Sequence, residues 1–161
     1  MTTRAAAMVV GIALALGTAP AASAAPGSAE LAQARRATAK FHVLSVADAA
    51  GYKEFLPCFD DPEEGGMGQH FARLSDVDET IDALHPEVLV YEPRRDGYKL
   101  VALEYVVPQL PKWSDDNPPT LFGHDFHRND TLGIWALHAW IWRGNPSGMH
   151  ADYNPNVRMC P

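Results

Sequence analysis

Several motifs that mark common enzyme chemistries are missing from this 161-residue chain. It has no Gly-x-Ser-x-Gly elbow for a serine hydrolase and no Gly-x-Gly-x-x-Gly fingerprint for a dinucleotide. The glycines of residues 64–68 lack the lysine and the following helix of a phosphate-binding loop, which favours a flexible turn. Any chemistry must therefore come from side chains that lie far apart along the chain.

Basic residues are scarcer than acidic ones, and the 13 lysines and arginines against 20 aspartates and glutamates give a formal net charge of −7 at pH 7. An acidic surface repels phosphate backbones and anionic lipids. This argues against nucleic acid or a charged membrane as the main partner. The length fits one domain.

Long apolar runs are absent except over residues 5–19, which follow Arg4. This run is about 15 residues long, shorter than the roughly 20 that span a bilayer, and small residues follow it up to Ala24. We therefore expect a secretory signal peptide over residues 1–24, cleaved after Ala24, and one secreted domain over residues 25–161 with no membrane span. A retained membrane anchor is the alternative.

Cysteine is rare, with Cys58 and Cys160 as the whole complement. In an exported chain two cysteines can form one disulfide, and no third thiol competes. The bridge would close a loop of about 100 residues, for which chain entropy predicts a stabilisation of about 4–5 kcal/mol. A pair of metal thiolates is the alternative, although the chain has no Cys-x-x-Cys.

Residues 29–50 carry apolar side chains at spacings of three and four, which predicts a helix that begins after Ser28 and stops at Gly51. A break near Ser45 is also compatible with this pattern. The prolines and glycines of residues 57–69 indicate a loop. At most a short helix is expected over residues 76–83.

The pattern then changes to strands. Residues 87–92 and 98–107 are rich in β-formers and are joined by a five-residue connection containing Gly97, which predicts a hairpin. Residues 134–142 form a third apolar strand. We therefore expect an α+β fold, with the N-terminal helix packed on a curved antiparallel sheet or small open β-barrel, long loops and one disulfide.

Ionisable residues lie inside two of these apolar strands. Glu104 stands between Leu103 and Tyr105, and His138 follows Leu137. Such groups are costly to bury unless they are paired or bind a cation. Together with His70 they provide two imidazoles and one carboxylate, a ligand set for zinc, copper(II) or iron(II).

The expected hairpin register bears on which carboxylate belongs to this set. Pairing Glu92 with Tyr98 would place Glu92 six residues, roughly 20 Å, from Glu104 at 3.4 Å per residue. Glu92 would then be too far to share one ion with Glu104. Glu104 would instead lie near His85, so His85 and Glu92 are candidates for outer polar or catalytic roles.

Each of these residues also has a purely structural interpretation. His138 could be a core histidine paired with Glu104. His124, His127 and His150 suit exposed loops better than a second metal site. Tyr105, Trp140 and Trp142 could wall a ligand pocket beside His138, or could simply pack in the core.

Taken together, these motifs resemble a family of small exported proteins, mainly actinobacterial, with a pattern that covers nearly the whole mature chain. Its marks here are residues 49–52, Cys58, Met67-Gly68-Gln69-His70-Phe71, residues 86–92, Glu104-Tyr105, residues 121–123, residues 137–142, Asn145-Pro146, Gly148, Asn154-Pro155 and Cys160. The resemblance implies no reaction. The histidines that depart from its pattern are His124, His127 and His150.

Two classes of function are compatible with this sequence. The first is an exported protein with a divalent-metal site at His70, Glu104 and His138. In its catalytic form it would be a small metalloenzyme in which the metal activates water or a small oxygen-bearing substrate. The second is a non-catalytic module that binds a sugar, an envelope polymer or a small apolar ligand. A structural or interaction domain is a third alternative.

Overall fold

The structure, a computed structural model, describes residues 27–161, so the expected signal peptide lies outside the described residues. No helix in that range has the length and hydropathy to cross a membrane. The elements are α1 (Ser28–Thr38), a 3-10 helix (Ala39–His42), α2 (Leu44–Ala49), β1 (Lys53–Asp61), β2 (Gly65–Ala72), a second 3-10 helix (Leu74–Asp76), β3 (Val88–Arg94), β4 (Gly97–Pro108), β5 (Thr120–Leu121), β6 (His124–Asp125), β7 (His127–Asn129) and β8 (Ile134–Ala139).

The helix predicted over residues 29–50 is present but divided. Val43, between the first 3-10 helix and α2, is extended with φ −92° and ψ 104°, a conformation that a β-branched residue readily adopts. The apolar spacing remains correct across the break, because Phe41 and Ala47 are both buried. The predicted stop at Gly51 is also present, with φ 95°.

Six strands form one antiparallel sheet in the order β1-β2-β3-β4-β8-β7, and β5 and β6 form a separate two-stranded sheet. The large sheet curls strongly into an open half-barrel against the N-terminal helices. The predicted α+β class with a curved antiparallel sheet is therefore confirmed.

The two faces of this sheet bury different residues. The helix-side face carries the main core, in which Leu89, Leu103 and Leu137 pack with Phe41 and Ala47. The opposite face, here called the site face, carries two smaller apolar clusters. Their buried members are Ala72, Val88 and Val106 in one, and Val90, Val101, Ala102, Trp140 and Val157 in the other.

The hairpin predicted between β3 and β4 is present, but its predicted register is wrong. Val90 pairs with Ala102 while Tyr91 pairs with Leu100, so Val101 is an extra residue that forms a β-bulge. The turn is also tighter than the predicted five-residue connection, because Arg94 pairs with Gly97 and Glu92 with Lys99. The turn and the bulge each shift the pairing by one residue, and together they place Glu104 opposite Val88 rather than near His85. Sequence periodicity does not reveal a single inserted residue of this kind.

The sequence predicts a loop over residues 57–69, but these residues belong to the β1–β2 hairpin. β1 is an edge strand with irregular pairing to β2, and most of its side chains are at least partly exposed. Its strand character therefore depends on the neighbouring strand more than on its own composition. The short helix predicted over residues 76–83 is likewise replaced by the 3-10 helix Leu74–Asp76.

The C-terminal tail is irregular and is tied back to the β1–β2 hairpin. Cys58 and Cys160 form the expected disulfide, with Cα atoms 5.8 Å apart. Asn154 is fully buried and forms an isolated bridge to Gly66. The tail therefore covers one end of the site face.

Candidate metal centre

Three side chains from different strands converge on the site face: His70 of β2, Glu104 of β4 and His138 of β8. Glu104 and His138 are direct partners across β4 and β8, whereas His70 pairs with Val90 of β3. His70 Nε2 lies 3.5 Å from Glu104 Oε2, and His138 Nε2 lies 3.8 Å from Glu104 Oε1. The structure thus brings together the three residues that the sequence analysis named as ligands.

The convergence suits one cation. One donor atom from each of the three residues lies within 4.8 Å of the other two. A bound divalent metal would need nitrogen and oxygen donors at about 2.0–2.2 Å, which small side-chain movements could achieve from these separations. The two histidine side chains are buried, and that of Glu104 is 12% exposed.

The surroundings shift the pKa values of the two imidazoles in opposite directions. Burial lowers the pKa of His70, and the attraction of Glu104 does not compensate for it. Burial also disfavours protonated His138, but the carboxylates of Glu104 and Asp152 outweigh it and raise the pKa of His138. His70 is therefore the readier lone-pair donor, and a metal at His138 must compete with a proton.

Asp152 is a member of the site that sequence reasoning missed. Its Oδ1 lies 3.6 Å from His138 Nδ1 and 3.3 Å from His127 Nδ1. The interaction with His138 is the main cause that lowers the pKa of Asp152. A carboxylate on the far nitrogen of a ligating imidazole orients the ring and increases its basicity. No periodic pattern surrounds Asp152, so only the folded tail reveals this role.

Local hydrogen bonds hold the tail in this position. His150 Nδ1 donates to the carbonyl oxygen of His138 at 2.6 Å, and Trp140 Nε1 donates to the carbonyl oxygen of Ala151 at 2.6 Å. Asp152 therefore directly follows two residues, His150 and Ala151, that are hydrogen-bonded to His138 and Trp140. These contacts place His150 beside the site as a structural partner of the His138 backbone.

The remaining loop histidines do not join the candidate ligands. The rings of His124 and His150 lie 4.1 Å apart, and His127 contacts Asp152. Within the described residues, only His70, Glu104 and His138 bring three possible ligand atoms close enough together to hold one metal ion. His124 and His127 are exposed, as expected, but they lie in the short strands β6 and β7 rather than in loops.

A cavity of about 380 Å³ opens beside the three residues. Apolar side chains make most of its wall, and His127, Arg128, Asn129 and Tyr153 add polar groups. The apolar members are Phe55, Leu56, Phe59, Met67, Ala72, Leu74, Val77, Val88, Val106, Leu132, Ile134 and Ala136. The candidate ligands therefore form part of the wall of a largely apolar pocket.

The predicted aromatic wall of Tyr105, Trp140 and Trp142 is wrong, since none of the three lines this cavity. Tyr105 neighbours Glu104 in β4, so it points to the helix-side face, where its hydroxyl donates to the carbonyl oxygen of Ala83. Trp140 stacks on His138 with an interplanar angle of 9° but is buried in the core.

Trp142 is displaced because β8 ends at Ala139, three residues earlier than the strand predicted over residues 134–142. Beyond that point the alternation of side chains between the two faces no longer applies. Trp142 instead lies edge-on to His42 and beneath the guanidinium of Arg35.

The two predicted outer partners lie elsewhere as well. Glu92 is buried, but its Oε2 accepts hydrogen bonds from Arg94, and its Oε1 accepts one from the Arg158 backbone. His85 is exposed and pairs with Asp82. Neither lines the cavity. The tighter turn and the β4 bulge together account for His85, since the predicted register brings it close to Glu104.

Two imidazoles and one carboxylate can hold a divalent cation and leave coordination positions for water or another ligand. The position of the cavity means that such positions would face a space large enough for a small molecule. No family model, curated protein or solved structure matches this chain, so the functional argument is drawn from the geometry of the site.

Proposed function

We propose that this protein is an exported divalent-metal-binding protein in which His70, Glu104 and His138 hold the cation. The observation that carries the proposal is the convergence of one donor atom from each of these residues within 4.8 Å. Zinc, copper(II) and iron(II) all accept this donor set.

The alternative, that the two histidines are only structural, requires their buried polar atoms to be satisfied within the protein. Among the described residues, buried His138 Nε2 has no hydrogen-bond partner, because its 3.8 Å separation from Glu104 Oε1 is too long for a hydrogen bond. Buried His70 Nδ1 likewise has no hydrogen-bond partner in the part of the chain that the structure describes. A cation bound to His138 Nε2 would satisfy one of these atoms.

Export is supported by two features. Residues 5–19 have the length and composition of a signal-peptide core, and Cys58 and Cys160 are joined by a disulfide. Disulfides persist in oxidising compartments and are rare in the reducing cytosol. Membership of the exported family that the motifs resemble belongs to the same proposal.

The chemistry available at the site is that of a metal with open positions. A divalent cation lowers the pKa of a bound water and polarises a bound carbonyl oxygen. Asp152 would hold the His138 ring and keep Nε2 directed at the metal. Glu104 would reduce the net charge of the centre by one.

Metal analysis of the purified, disulfide-bonded protein tests the proposal. We expect about one equivalent of metal per chain after dialysis, and its loss in His138→Ala and Glu104→Gln. His85→Ala is the matched control, because His85 is exposed and remote from the cavity. An absence of stoichiometric metal, or a His138→Ala variant with unchanged metal content, would contradict the proposal.

A further inference from the structure

The segment that covers the candidate metal centre has an unusual backbone. In β1 the pairing with β2 is regular up to Phe55 and resumes at Phe59 after a register shift. Within this interruption Leu56 has φ 61°, a left-handed conformation that glycine and asparagine tolerate and that leucine seldom adopts. Strain of this kind is concentrated at functional sites.

This irregular segment is held in place from two sides. The side-chain amide of buried Gln69 donates to the carbonyl oxygen of Leu56 at 2.8 Å. Cys58, two residues further on, is fixed to the tail through Cys160. The strained conformation is therefore determined by the surrounding structure rather than by Leu56 itself.

Three apolar side chains of this segment line the cavity beside the candidate metal centre. Phe55, Leu56 and Phe59 all line the cavity, and the Phe59 ring lies edge-on to His70 with centroids 5.9 Å apart. Leu56 and Phe59 are each 37% exposed. They form a partly exposed apolar part of the cavity wall.

The charged groups of the cavity wall are already engaged. Arg128 is paired with Asp115 and Asp130, and His127 is paired with Asp152. If a ligand had many hydroxyl or charged groups, most of these groups would lie against the aliphatic wall without a hydrogen-bond partner. Each such group would reduce the binding free energy. A polar group on the ligand therefore finds its best partner at the metal.

We infer that the site binds a small molecule with an apolar body and a single oxygen-donor head group, of the monocarboxylate class. The head group would coordinate the metal held by His70, Glu104 and His138, and the body would lie against Phe55, Leu56 and Phe59. This inference rests on the proposed metal site. The cavity volume of about 380 Å³ is within the range of small-molecule pockets.

Calorimetric titration of the zinc-loaded protein with butyrate, hexanoate and octanoate tests the inference. We expect the affinity to rise about fourfold for each added methylene, which is the effect of burying it. Binding of octanoate should be lost when EDTA removes the zinc. Glucose, which has a similar size and no apolar body, should not bind.

Leu56→Asn is the informative variant, because asparagine accepts the left-handed backbone while removing the apolar side chain. We expect it to bind zinc normally and to bind octanoate about fivefold more weakly, since only part of a leucine side chain is lost from the contact. Leu84→Asn is the matched control, because Leu84 is 39% exposed and does not line the cavity.

The outcomes separate this inference from the proposed function. A protein that binds no zinc contradicts the proposed function and the inference together. Normal zinc binding with equal affinity for butyrate and octanoate overturns the inference alone. Octanoate binding that is unaffected by EDTA, or equally weakened in Leu56→Asn and Leu84→Asn, also overturns it.

Discussion

Glu104 and His138 are direct cross-strand partners on β4 and β8, and Glu104 Oε1 lies 3.8 Å from His138 Nε2. The opposite ring nitrogen of His138 faces Asp152 at 3.6 Å. One imidazole therefore lies between two carboxylates inside an apolar sheet. This arrangement favours a positive charge there, which a proton or a metal ion can supply.

Competition between proton and metal predicts proton release. The carboxylates of Glu104 and Asp152 overcome burial and raise the pKa of His138 above 6.5, whereas a metal-bound imidazole is unprotonated at Nε2. Zinc binding near neutral pH should therefore release protons, and zinc affinity should increase as the pH rises through the pKa of His138. Calorimetry in buffers of different ionisation enthalpy measures this release.

In the metal-free protein, the contribution of His138 to stability should decrease as the pH rises. Because the pKa of folded His138 is raised, protonation stabilises the fold fully below pH 6.5, and this stabilisation is lost as the pH rises through the raised pKa. A zinc affinity that is independent of pH between 6 and 8 would contradict both expectations.

Asp152→Asn should weaken the site without removing a ligand. Loss of an orienting carboxylate beside a ligating histidine costs about 10–100-fold in metal affinity, and we expect a decrease in that range. Competition with a chromophoric chelator measures the affinity. Asp116→Asn, in an exposed loop, is the control. If the two variants had the same metal affinity, a role for Asp152 in the metal site would be contradicted.

The disulfide should make a large contribution to stability. Cys58 and Cys160 are separated by 102 positions in the sequence, and closing a loop of this length stabilises by about 4–5 kcal/mol through chain entropy. Urea denaturation of a Cys58→Ser/Cys160→Ser variant should show a loss of free energy of unfolding of that order. A loss below about 1 kcal/mol would mean that the unfolded chain is already restricted.

Glu87 should make stability depend on pH. Its carboxyl is buried and accepts a hydrogen bond from the Val106 backbone at 2.9 Å. Burial raises its pKa to about 7 from 4.5, so ionisation in the folded protein costs about 3 kcal/mol more than in the unfolded chain. This destabilisation is absent below pH 4.5 and complete above about pH 7.

Glu87→Gln keeps a carbonyl oxygen for the Val106 N–H and cannot ionise. Its free energy of unfolding relative to the parent protein should therefore rise by up to about 3 kcal/mol between pH 5 and pH 8. Urea denaturation at the two pH values gives the difference. Glu63→Gln, at an exposed turn, should show no such change, and an equal response of both variants would refute the assignment to burial.

Much of the fold could be predicted from patterns of neighbouring residues. Helical spacing predicted the buried side chains Phe41 and Ala47, and alternation predicted the β3–β4 hairpin. These patterns are local, because an element repeats its contacts every two or every three to four residues. The candidate ligands could also be named, since Glu104 and His138 interrupt apolar strands and burial of such groups is costly.

The remaining features depend on contacts between distant segments. The bulge at Val101, the strained Leu56 and the position of Asp152 each need a partner strand or a folded tail to exist. The error in the aromatic wall has the same origin, because Trp142 could be placed only by knowing that β8 ends at Ala139.

Local composition thus determined which elements form, which cysteines pair and which ionisable residues are too costly to leave unsatisfied in a strand. The tertiary structure alone decided that β2 curls back so that His70 meets Glu104, and that the tail brings Asp152 to His138. It also decided that the pocket has aliphatic and phenyl walls. The physical reason is that sheet curl, register and tail docking are set by packing between segments far apart in sequence.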